Sequence, residues 1–216
     1  GQQAALDAII EPGTGKAVCV TGEAGTGKSV VLREARVRVP CAVGAPTGLA
    51  ASVIRGATIH SLFGFKPGPL DNQIGPLDDR KADVFLSPGV KLALDEISMV
   101  RADLLDAMDQ TLRMTLYDER PFGGVPMVAF GDPFQIEPVV TNLEMSWLYG
   151  KYQSPYFFDS AVWQELKPRQ MSLSHIFRQD NEEFQRALNH TRRGDPRGLE
   201  VLNSRVTNDR FWYTLT

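Results

Sequence analysis

A strand-like apolar run, Val18–Thr21, leads directly into a glycine-rich loop that ends in a lysine and a serine. The loop fits the pattern G-x-x-x-x-G-K-[ST] in full, and a helical pattern begins at Lys28, as that pattern requires. Glycine lets backbone N–H groups close around phosphate oxygens, and a helix N-terminus adds its positive dipole. The sequence therefore predicts a phosphate-binding loop made of Gly22, Glu23, Ala24, Gly25, Thr26, Gly27, Lys28 and Ser29.

Two side chains of this loop have defined chemistry. Lys28 is predicted to reach the β- and γ-phosphates of a nucleotide, because the motif places an ammonium group at that point. The hydroxyl of Ser29 is predicted to bind Mg²⁺. The loop therefore indicates a protein that binds a nucleoside triphosphate together with a metal ion.

Short apolar runs alternate with helical patterns along the rest of the chain. This alternation predicts an α/β fold of three layers, a P-loop domain with a mainly parallel sheet covered by helices on both faces. The predicted strands are Val18–Thr21, Ala42–Ala45, Val90–Leu94, Val125–Phe130 and Gln170–Leu173. The predicted helices are Lys28–Ala35, Val100–Met114, Ser160–Leu166 and Asn181–Thr191, the second with an apolar stripe of Leu104, Leu105, Met108 and Leu112.

The segment Gly64–Gly89 interrupts this alternation. It is rich in proline and glycine, carries charges of both signs and has no clear period, which predicts a small loop-rich insertion with at most one short helix. Composition alone favours a loose excursion over the surface. A compact insertion with a function of its own is the alternative.

The apolar run Val90–Leu94 ends in two adjacent carboxylates, Asp95 and Glu96. A carboxylate at a strand tip suits the hydrated Mg²⁺ of a nucleotide site, and its neighbour can orient and deprotonate an attacking water. The same pair could begin a helix, since Ile97–Leu105 has a helical pattern. Together with the phosphate-binding loop, the pair favours the catalytic interpretation, with Asp95 sharing the metal with Ser29 and Glu96 as general base.

Two further polar residues follow predicted strands. Gln135 is placed to sense the γ-phosphate from a neighbouring strand end, although Asp132-Pro133 would also form an ordinary turn. Arg178 follows the last predicted strand, and a cation there can stabilise the charge that develops on a γ-phosphate. For Arg178, local sequence alone favours a surface arginine.

Small and hydroxyl-bearing residues follow the second predicted strand. Such residues hold a phosphodiester backbone by hydrogen bonds without reading its bases. For His60 alone a structural histidine is favoured, and no aromatic-rich stacking platform is evident, although Phe63 and Phe65 could contribute rings. The predicted nucleic-acid-binding residues are Pro46, Thr47, Gly48, Thr58, His60, Ser61 and Phe63.

Charge and composition limit the class of protein. The formal net charge of −3 argues against a surface that binds nucleic acid on every side, but it allows a local basic channel. Cys19 and Cys41 lie in strand-like runs outside any Cys/His cluster, which predicts buried, reduced thiols in an intracellular protein. No apolar run reaches the ~18 residues of a membrane span, and no signal-peptide pattern is present.

In order along the chain, these motifs resemble those of superfamily-one helicases. The resemblance is strongest to the Pif (petite integration frequency) family, which unwinds DNA in the 5′ to 3′ direction, and it covers nearly the whole chain. The segments that carry it are Thr21-Gly-Glu-Ala-Gly-Thr-Gly-Lys-Ser29, Thr47-Gly-Leu-Ala-Ala51, Gly56-Ala-Thr-Ile-His-Ser61, Asp95-Glu-Ile-Ser-Met99, Pro121-Phe-Gly-Gly124, Gly131-Asp-Pro-Phe-Gln135 and Ile176-Phe-Arg-Gln179.

The resemblance implies the first RecA-like motor domain of an ATP-dependent DNA helicase. It implies ATP and Mg²⁺ as cofactors, single-stranded DNA or single/double-strand junctions as partners, and roles in DNA repair and recombination. It implies that Gln2 reads adenine, that Arg178 is an arginine finger and that Gly64–Gly89 is a small wedge subdomain. The residues it places along the single-strand path are Thr47, Thr58, His60 and Ser61. A monomer is expected, in the cytoplasm (nucleoid) of a bacterium or the nucleus or mitochondrion of a eukaryote.

Two features depart from the family pattern. Pro133 stands where many members carry an aromatic residue. Phe211–Thr216 is expected to begin a second motor domain, so that residues 1–210 form the first, and the later motifs with a second arginine finger are absent from this sequence. Because the chain also opens on Gly1 rather than methionine, we expect it to be a piece of a longer protein.

Two other functions remain open at this point. One is a nucleotide-binding module, which would bind ATP or ADP through the phosphate-binding loop without hydrolysing it at a useful rate. A P-loop kinase would need a site for a phosphate acceptor and would have no use for the Gly56–Ser61 motif. ATP hydrolysis measured with and without single-stranded DNA separates the helicase from the module.

Overall fold

The computed structural model describes residues 1–11, 17–66, 68, 70, 72–175, 187, 190, 191 and 194–197. The chain forms two compact units, Gly1–Ile176 and Phe177–Thr216. In chain order the elements are α1 (Gln2–Ile10), β1 (Ala17–Gly22), α2 (Lys28–Arg38), β2 (Cys41–Ala45), α3 (Gly48–Val53), β3 (Ala57–Thr58), α4 (Ile59–Phe63), α5 (Asp79–Leu86), β4 (Lys91–Leu94), α6 (Ala102–Leu116), β5 (Met127–Gly131), α7 (Asn142–Lys151), α8 (Ala161–Leu166) and β6 (Arg169–Leu173).

One sheet with six strands organises the first unit. Its strand order is β3-β2-β4-β5-β1-β6, and every neighbouring pair is parallel. Because the strands are parallel, their carboxyl ends share one edge, where the loops that follow β1, β4 and β5 come together. This arrangement confirms the predicted three-layer α/β fold.

Successive strand residues pack on opposite faces of the sheet, as the pleat requires. In β4, for example, Leu92 and Leu94 join one buried cluster while Ala93 joins the other. Helices α1, α2 and α3 bury their apolar residues in the second cluster, whereas α4, α5, α6 and α8 bury theirs in the first. The sheet is therefore covered on both faces.

The predicted strands all occur within two residues of their expected bounds, and α2 begins at Lys28 as expected. Most of the predicted helix Asn181–Thr191 lies outside the described residues. The elements that pattern analysis missed are α1, α3, β3, α4 and α7. Most of them are short, and α7 begins with a capping box between Thr141 and Glu144 that was not recognised.

The predicted helix Val100–Met114 begins later than expected. A single 3₁₀ turn, Ile97–Met99, follows Glu96, and the α-helix starts only at Ala102. Arg101 instead forms an isolated antiparallel bridge with Tyr156, and the Ala102 backbone N–H donates to the Pro155 carbonyl at 2.9 Å. Val100 and Arg101 therefore lie outside the α-helix, and Asp95 and Glu96 do not begin one.

Helix α6 is buried on nearly every side. Its predicted apolar stripe is buried, and so is the charged residue Asp106. The Asp106 carboxylate accepts hydrogen bonds from the Tyr152 hydroxyl at 2.9 Å and from the backbone N–H groups of Ala161 and Val162 at 3.1 and 2.9 Å. A buried carboxylate thereby fixes α8 against α6.

The Gly64–Gly89 insertion packs onto the main core. Phe65, Leu70 and Phe85 are buried in the same cluster as the strand residues of β4. The Leu77 backbone N–H also donates to the Thr115 hydroxyl of α6 at 2.9 Å. The described part of the insertion is therefore not the loose surface excursion that composition favours, and α5 is its one helix.

The segment Pro121–Gly124 makes an unusual left-handed turn beneath α6. Phe122, Gly123 and Gly124 have φ values of 52°, 62° and 75° in succession. The Phe122 ring is fully buried, and its backbone N–H donates to the Asp109 carboxylate at 2.6 Å. A Cβ on Gly123 would lie 2.7 Å from the Leu112 carbonyl oxygen, so the turn requires glycine there.

Cys19 and Cys41 are both free thiols. Cys19 is buried, and burial raises the pKa of its thiol to about 12. Cys41 is only partly buried. Within the part of the chain that the structure describes, no helix is long and apolar enough to cross a bilayer.

Candidate functional site

The phosphate-binding loop connects β1 to α2 at the carboxyl edge of the sheet. Gly27, the last residue before α2, has a left-handed backbone with φ 90°. Its carbonyl accepts hydrogen bonds from the N–H groups of Val30 and Val31 at 3.0 and 3.1 Å. The first turn of the helix therefore closes directly on the loop, in the strand–loop–helix arrangement that the motif predicts.

The side chain of Lys28 lies along the start of the loop. Its Nζ donates hydrogen bonds to the carbonyl oxygens of Gly22 at 2.6 Å and Glu23 at 3.1 Å. The loop is further tied by Thr26, which is buried and donates its hydroxyl proton to the Glu23 carbonyl at 2.8 Å. The ammonium group is thus held inside the loop by acceptors that phosphate oxygens can replace.

Gln2 reaches the same loop from α1. Its side-chain Nε2 donates to the Thr26 carbonyl at 3.0 Å. Ser29, in the first turn of α2, is exposed. The structure therefore brings Gln2 beside the loop, while its role in reading adenine stays a prediction.

Asp95 and Glu96 follow β4 at the same edge of the sheet. Asp95 is only 6% exposed, and its Oδ1 accepts a hydrogen bond from the Glu96 backbone N–H at 3.0 Å. Glu96 has a left-handed backbone, with φ 50° and ψ 47°. Non-glycine residues seldom adopt this conformation, although Arg55, Tyr117, Phe122 and Lys167 do so elsewhere in this chain.

The charges of this edge influence one another. Burial raises the pKa of the Asp95 carboxyl, opposed by the Glu96 N–H and by the charge of Lys28. Burial also raises the pKa of Glu96; the negative charges of Asp95 and Asp132 add to that effect, while Lys28 opposes it. Lys28, Asp95, Glu96 and Asp132 thus form one electrostatic cluster, assembled from the loops after β1, β4 and β5.

Gln135 lies in the turn that follows β5. Its backbone N–H donates to the Asp132 carbonyl at 3.0 Å, and the residue is exposed. The Asp132 carboxylate is buried and accepts a hydrogen bond from the Phe134 backbone at 3.1 Å. The Asp-Pro turn is therefore present. Sensing of a γ-phosphate by Gln135 stays a prediction, and Arg178 lies outside the described residues.

The predicted nucleic-acid-binding hydroxyls begin short helices. Thr47 caps α3, with its Oγ1 accepting from the Ala50 N–H at 3.2 Å, and Thr58 caps α4, with its Oγ1 accepting from the Ser61 N–H at 3.1 Å. Because β2 and β3 are parallel neighbours, both caps lie at the carboxyl edge. Gly48 and Ser61 are exposed. The two segments are therefore adjacent, as the DNA-path prediction requires.

A pocket of about 230 Å³ joins these segments to others. Pro46, Thr47 and His60 line it, together with Arg101 and Glu144, which sequence patterning did not select. Arg101 follows the Asp95-Glu96 strand end and Glu144 lies in the first turn of α7. The capping-box spacing from Thr141 marks Glu144 as the start of a helix but not as part of a site, and Arg101 looks like an ordinary surface charge in the sequence.

Phe63 must be removed from the predicted nucleic-acid-binding residues. It is 4% exposed, and its ring lies 5.6 Å from the rings of Phe65 and Phe85 in the core. Phe65 is likewise buried. Neither ring is available to stack on a base, because the insertion covers them.

A family model for PIF1-like helicases matches residues 1–194 of this chain. The chain is 34% identical over 216 residues to the ATP-dependent DNA helicase PIF1 of Emericella nidulans, across 93% of this chain and 28% of the fungal protein. The chain therefore spans less than a third of that relative's length.

The fold is similar to solved structures from Bacteroides. Pif1 bound to single-stranded DNA matches with a TM-score of 0.85 and 36% identity, over 96% of this chain and 50% of that one. Pif1 in complex with ADP-AlF3 and single-stranded DNA matches with a TM-score of 0.84 and 34% identity, over 97% of this chain and 51% of that one. The chain thus corresponds to about half of each solved protein.

Proposed function

Because this chain belongs to the PIF1-like helicase family, we propose that it supplies the ATP-binding half of a 5′ to 3′ DNA helicase motor. The observation that carries the proposal is the shared carboxyl edge of β1, β4 and β5, where the loop that holds Lys28 and the Asp95-Glu96 pair both lie. A lysine of a phosphate-binding loop beside two carboxylates is the arrangement that nucleotide hydrolysis needs. The Pif1 structures with ADP-AlF3 and single-stranded DNA support the same assignment.

The residues of the site fit a nucleotide with Mg²⁺. Ser29 offers an exposed hydroxyl, and Asp95 offers a buried carboxylate whose ionised form would gain from a nearby cation. Mg²⁺ prefers oxygen ligands and usually keeps waters and phosphate oxygens in its shell, so two protein ligands suffice. When bound, the ion neutralises charge on the β- and γ-phosphates.

The chain's own residues then divide the work of hydrolysis. Lys28 exchanges the Gly22 and Glu23 carbonyls for phosphate oxygens. Glu96 orients a water and accepts its proton while the water oxygen attacks the γ-phosphorus and the bond to the ADP oxygen breaks. In this proposal Gln135 senses the γ-phosphate, Arg178 stabilises its developing charge and Gln2 holds the adenine.

Single-stranded DNA is proposed to cross the face formed by the α3 and α4 caps. The residues assigned to this path are Pro46, Thr47, Gly48, Thr58, His60 and Ser61. They offer hydroxyls and backbone N–H groups, which hold phosphates without reading bases. The path lies on the same edge as the nucleotide site, so movement of one site can affect the other.

The double variant Thr58→Ala with His60→Ala tests this path. We expect weaker single-strand binding in fluorescence anisotropy with ATP affinity near that of the parent. Since loss of a helix cap alone costs about 1 kcal/mol of stability, thermal unfolding must be measured alongside. Unchanged DNA binding would place the path elsewhere.

The wider organisation is also part of the proposal. Residues 1–210 form the first motor domain, Phe211–Thr216 begin the second, and Gly64–Gly89 act as a wedge. Because it acts on DNA, the protein is proposed to lie inside the cell, in a bacterial cytoplasm (nucleoid) or in a eukaryotic nucleus or mitochondrion. It is also proposed to be a monomer. The main alternative is a nucleotide-binding module without useful turnover in the absence of a second motor domain.

ATP hydrolysis with and without single-stranded DNA tests the proposed function. We expect this chain to bind MgATP, to hydrolyse it slowly and not to unwind a duplex, because a cleft between two motor domains completes such sites. Joined to a second motor domain, it should show DNA-stimulated hydrolysis and strand displacement. Absence of ATP binding would exclude the function, and unwinding by these 216 residues alone would overturn the two-domain mechanism.

A further inference from the structure

The pocket beside the proposed DNA path contains a partly buried ion-pair network. Several chain segments line it, among them Pro46 and Thr47 after β2, His60 of α4, Arg101 after the Asp95-Glu96 pair, and Glu144 at the start of α7. We call it the Arg101 pocket. It is the place where the proposed DNA path meets the segments that follow the hydrolytic residues.

Arg101 is held firmly on one side. Its side chain is 16% exposed, and its Nε and Nη2 donate to the two carboxylate oxygens of Asp103 at 2.8 and 2.7 Å. This paired geometry fixes the plane of the guanidinium. Asp103 is itself buried at the start of α6, so it remains the permanent partner of Arg101.

The other partner of Arg101 is exchangeable. Nη1 donates to Oε1 of Glu144 at 2.5 Å. Oε2 of Glu144 already accepts hydrogen bonds from the backbone N–H and the hydroxyl of Thr141, at 3.0 and 2.6 Å. Glu144 therefore keeps its place in the capping box when Arg101 leaves it, which lowers the cost of the exchange.

We propose that Arg101 binds a phosphodiester group of single-stranded DNA in this pocket, and that the phosphate takes the place of Glu144 at Nη1. This inference rests on the DNA-binding function proposed above. Thr47 and His60, which line the same pocket, lie on the proposed path. Arginine presents its N–H groups in a planar fork suited to phosphate oxygens, and Nη1 lies outside the pair of bonds that Nε and Nη2 make to Asp103.

The exchange has a structural consequence for α7. Leu148 and Tyr152 pack with Ala102 of α6, so the second half of α7 stays in place. Only its first turn is tied to α6 by the Arg101–Glu144 pair. When a phosphate takes Nη1, the first turn of α7 loses this tie to α6, while its capping box keeps it helical. Because α7 follows the Gln135 turn in the chain, DNA binding is thereby coupled to the nucleotide edge.

Two substitutions test the proposal, one expected to strengthen DNA binding and the other to weaken it. Glu144→Gln keeps a residue that can complete a capping box but removes the carboxylate that competes with phosphate. We expect it to tighten binding of a fluorescein-labelled single-stranded oligodeoxythymidine by about threefold to tenfold. Arg101→Gln should weaken binding by about tenfold and should reduce the slope of log affinity against log salt by about 0.7.

Matched controls come from a second ion-pair network, between Arg113 of α6 and Glu165 of α8. Arg113 of α6 also bonds to two carboxylates, Asp109 at 2.9 Å and Glu165 at 2.8 Å, but it does not line the pocket. Arg113→Gln and Glu165→Gln should leave oligonucleotide affinity and salt slope unchanged. Thermal unfolding and ATP affinity of all four variants separate loss of a DNA contact from loss of structure.

The outcomes are distinguishable. If the parent chain binds no oligonucleotide at low salt, the proposed DNA-binding function fails and this inference fails with it. If the parent binds but Glu144→Gln does not bind more tightly, or Arg101→Gln weakens binding only as much as Arg113→Gln, this inference alone is overturned. Should Arg101→Gln fail to fold, the result for Glu144→Gln still decides.

Discussion

The side-chain nitrogen of Gln2 lies 1.9 Å from the position that a Cβ on Gly27 would occupy. Gln2 thus fills the space that glycine leaves open in the phosphate-binding loop, and it is held there by its bond to the Thr26 carbonyl. Gln2 of α1 therefore packs directly against Gly27, the residue that precedes α2.

Gly27→Ala should damage this arrangement in two ways. It displaces the Gln2 amide, and it imposes a φ of 90° on a residue with a side chain, which costs about 1–3 kcal/mol. We expect a lower melting temperature and weaker nucleotide binding in a fluorescent-nucleotide titration. Repeating Gly27→Ala in a Gln2→Ala background separates the clash from the backbone strain, and a Gly27→Ala chain that binds nucleotide normally contradicts the proposed geometry.

Lys28→Ala should remove the main cation that faces the phosphates. A charged hydrogen-bonding group of a partly desolvated site contributes roughly 2–4 kcal/mol to binding, so nucleotide affinity should fall accordingly. The exposed Lys66 provides the control, since Lys66→Ala removes the same charge away from the loop. Equal affinity in Lys28→Ala and the parent would sink the phosphate-site assignment.

Glu96→Gln, in a protein with both motor domains, should keep ATP affinity but lower hydrolysis by roughly 10²–10⁴-fold, the range for a lost general base. Because burial and the charge of Asp95 raise the pKa of Glu96, hydrolysis by the parent should decline as pH falls through that raised value, above the ordinary 4.5. Normal hydrolysis by Glu96→Gln means that another group is the base.

Asp95→Asn should instead weaken the dependence of ATP hydrolysis on Mg²⁺.

Asp95→Asn should also stabilise the nucleotide-free chain at neutral pH. Burial raises the pKa of Asp95 in the folded state, so the folded chain binds a proton more readily than the unfolded chain between the ordinary value of 3.8 and the raised value. The free energy of unfolding therefore falls as pH rises through this window and stays lower above it. Thermal unfolding at several pH values should show that the variant is more stable than the parent at neutral pH, and that this difference in stability disappears below pH 3.8. A parent that is the more stable of the two at neutral pH contradicts this reasoning.

Gly123→Ala should destabilise the fold without touching the nucleotide site. Its Cβ would meet the Leu112 carbonyl oxygen at 2.7 Å, and its φ of 62° is strained for alanine, so we expect a loss of about 1–3 kcal/mol. Gly150 in α7 is the matched control, since nothing lies within 4 Å of a Cβ there. Gly150→Ala should be neutral or stabilising by up to about 1 kcal/mol in urea unfolding. Equal stability of the two variants would show that the turn tolerates a side chain.

The parts of the site that sequence predicted well are those whose signal is local. The phosphate-binding loop and the Asp95-Glu96 pair each join an apolar run to chemically distinct residues, and parallel strands necessarily place such strand ends on one edge. The strand positions followed for the same reason, because buried strands of a parallel sheet are continuous apolar runs.

The parts that were missed depend on partners distant in the chain. Arg101 and Glu144 are separated by 43 positions, yet they form one ion pair in the pocket. Phe63 was assigned to the DNA path as a ring that could stack on a base, but it is buried against Phe65 and Phe85 of the insertion. Neither fact is readable from spacing, since each arises when a later segment folds back onto an earlier one.

Local sequence was sufficient to predict the phosphate-binding loop, the order of strands and helices that carries it, and the acidic strand end. These depend on periodicity and on residues within one or two turns of each other, which act before the chain is compact. The folded arrangement was needed to show which charges share a cluster, which aromatic rings are buried and where α6 begins. Those outcomes depend on burial and on hydrogen bonds between separated segments, and such interactions acquire their strength only when folding removes water from around them.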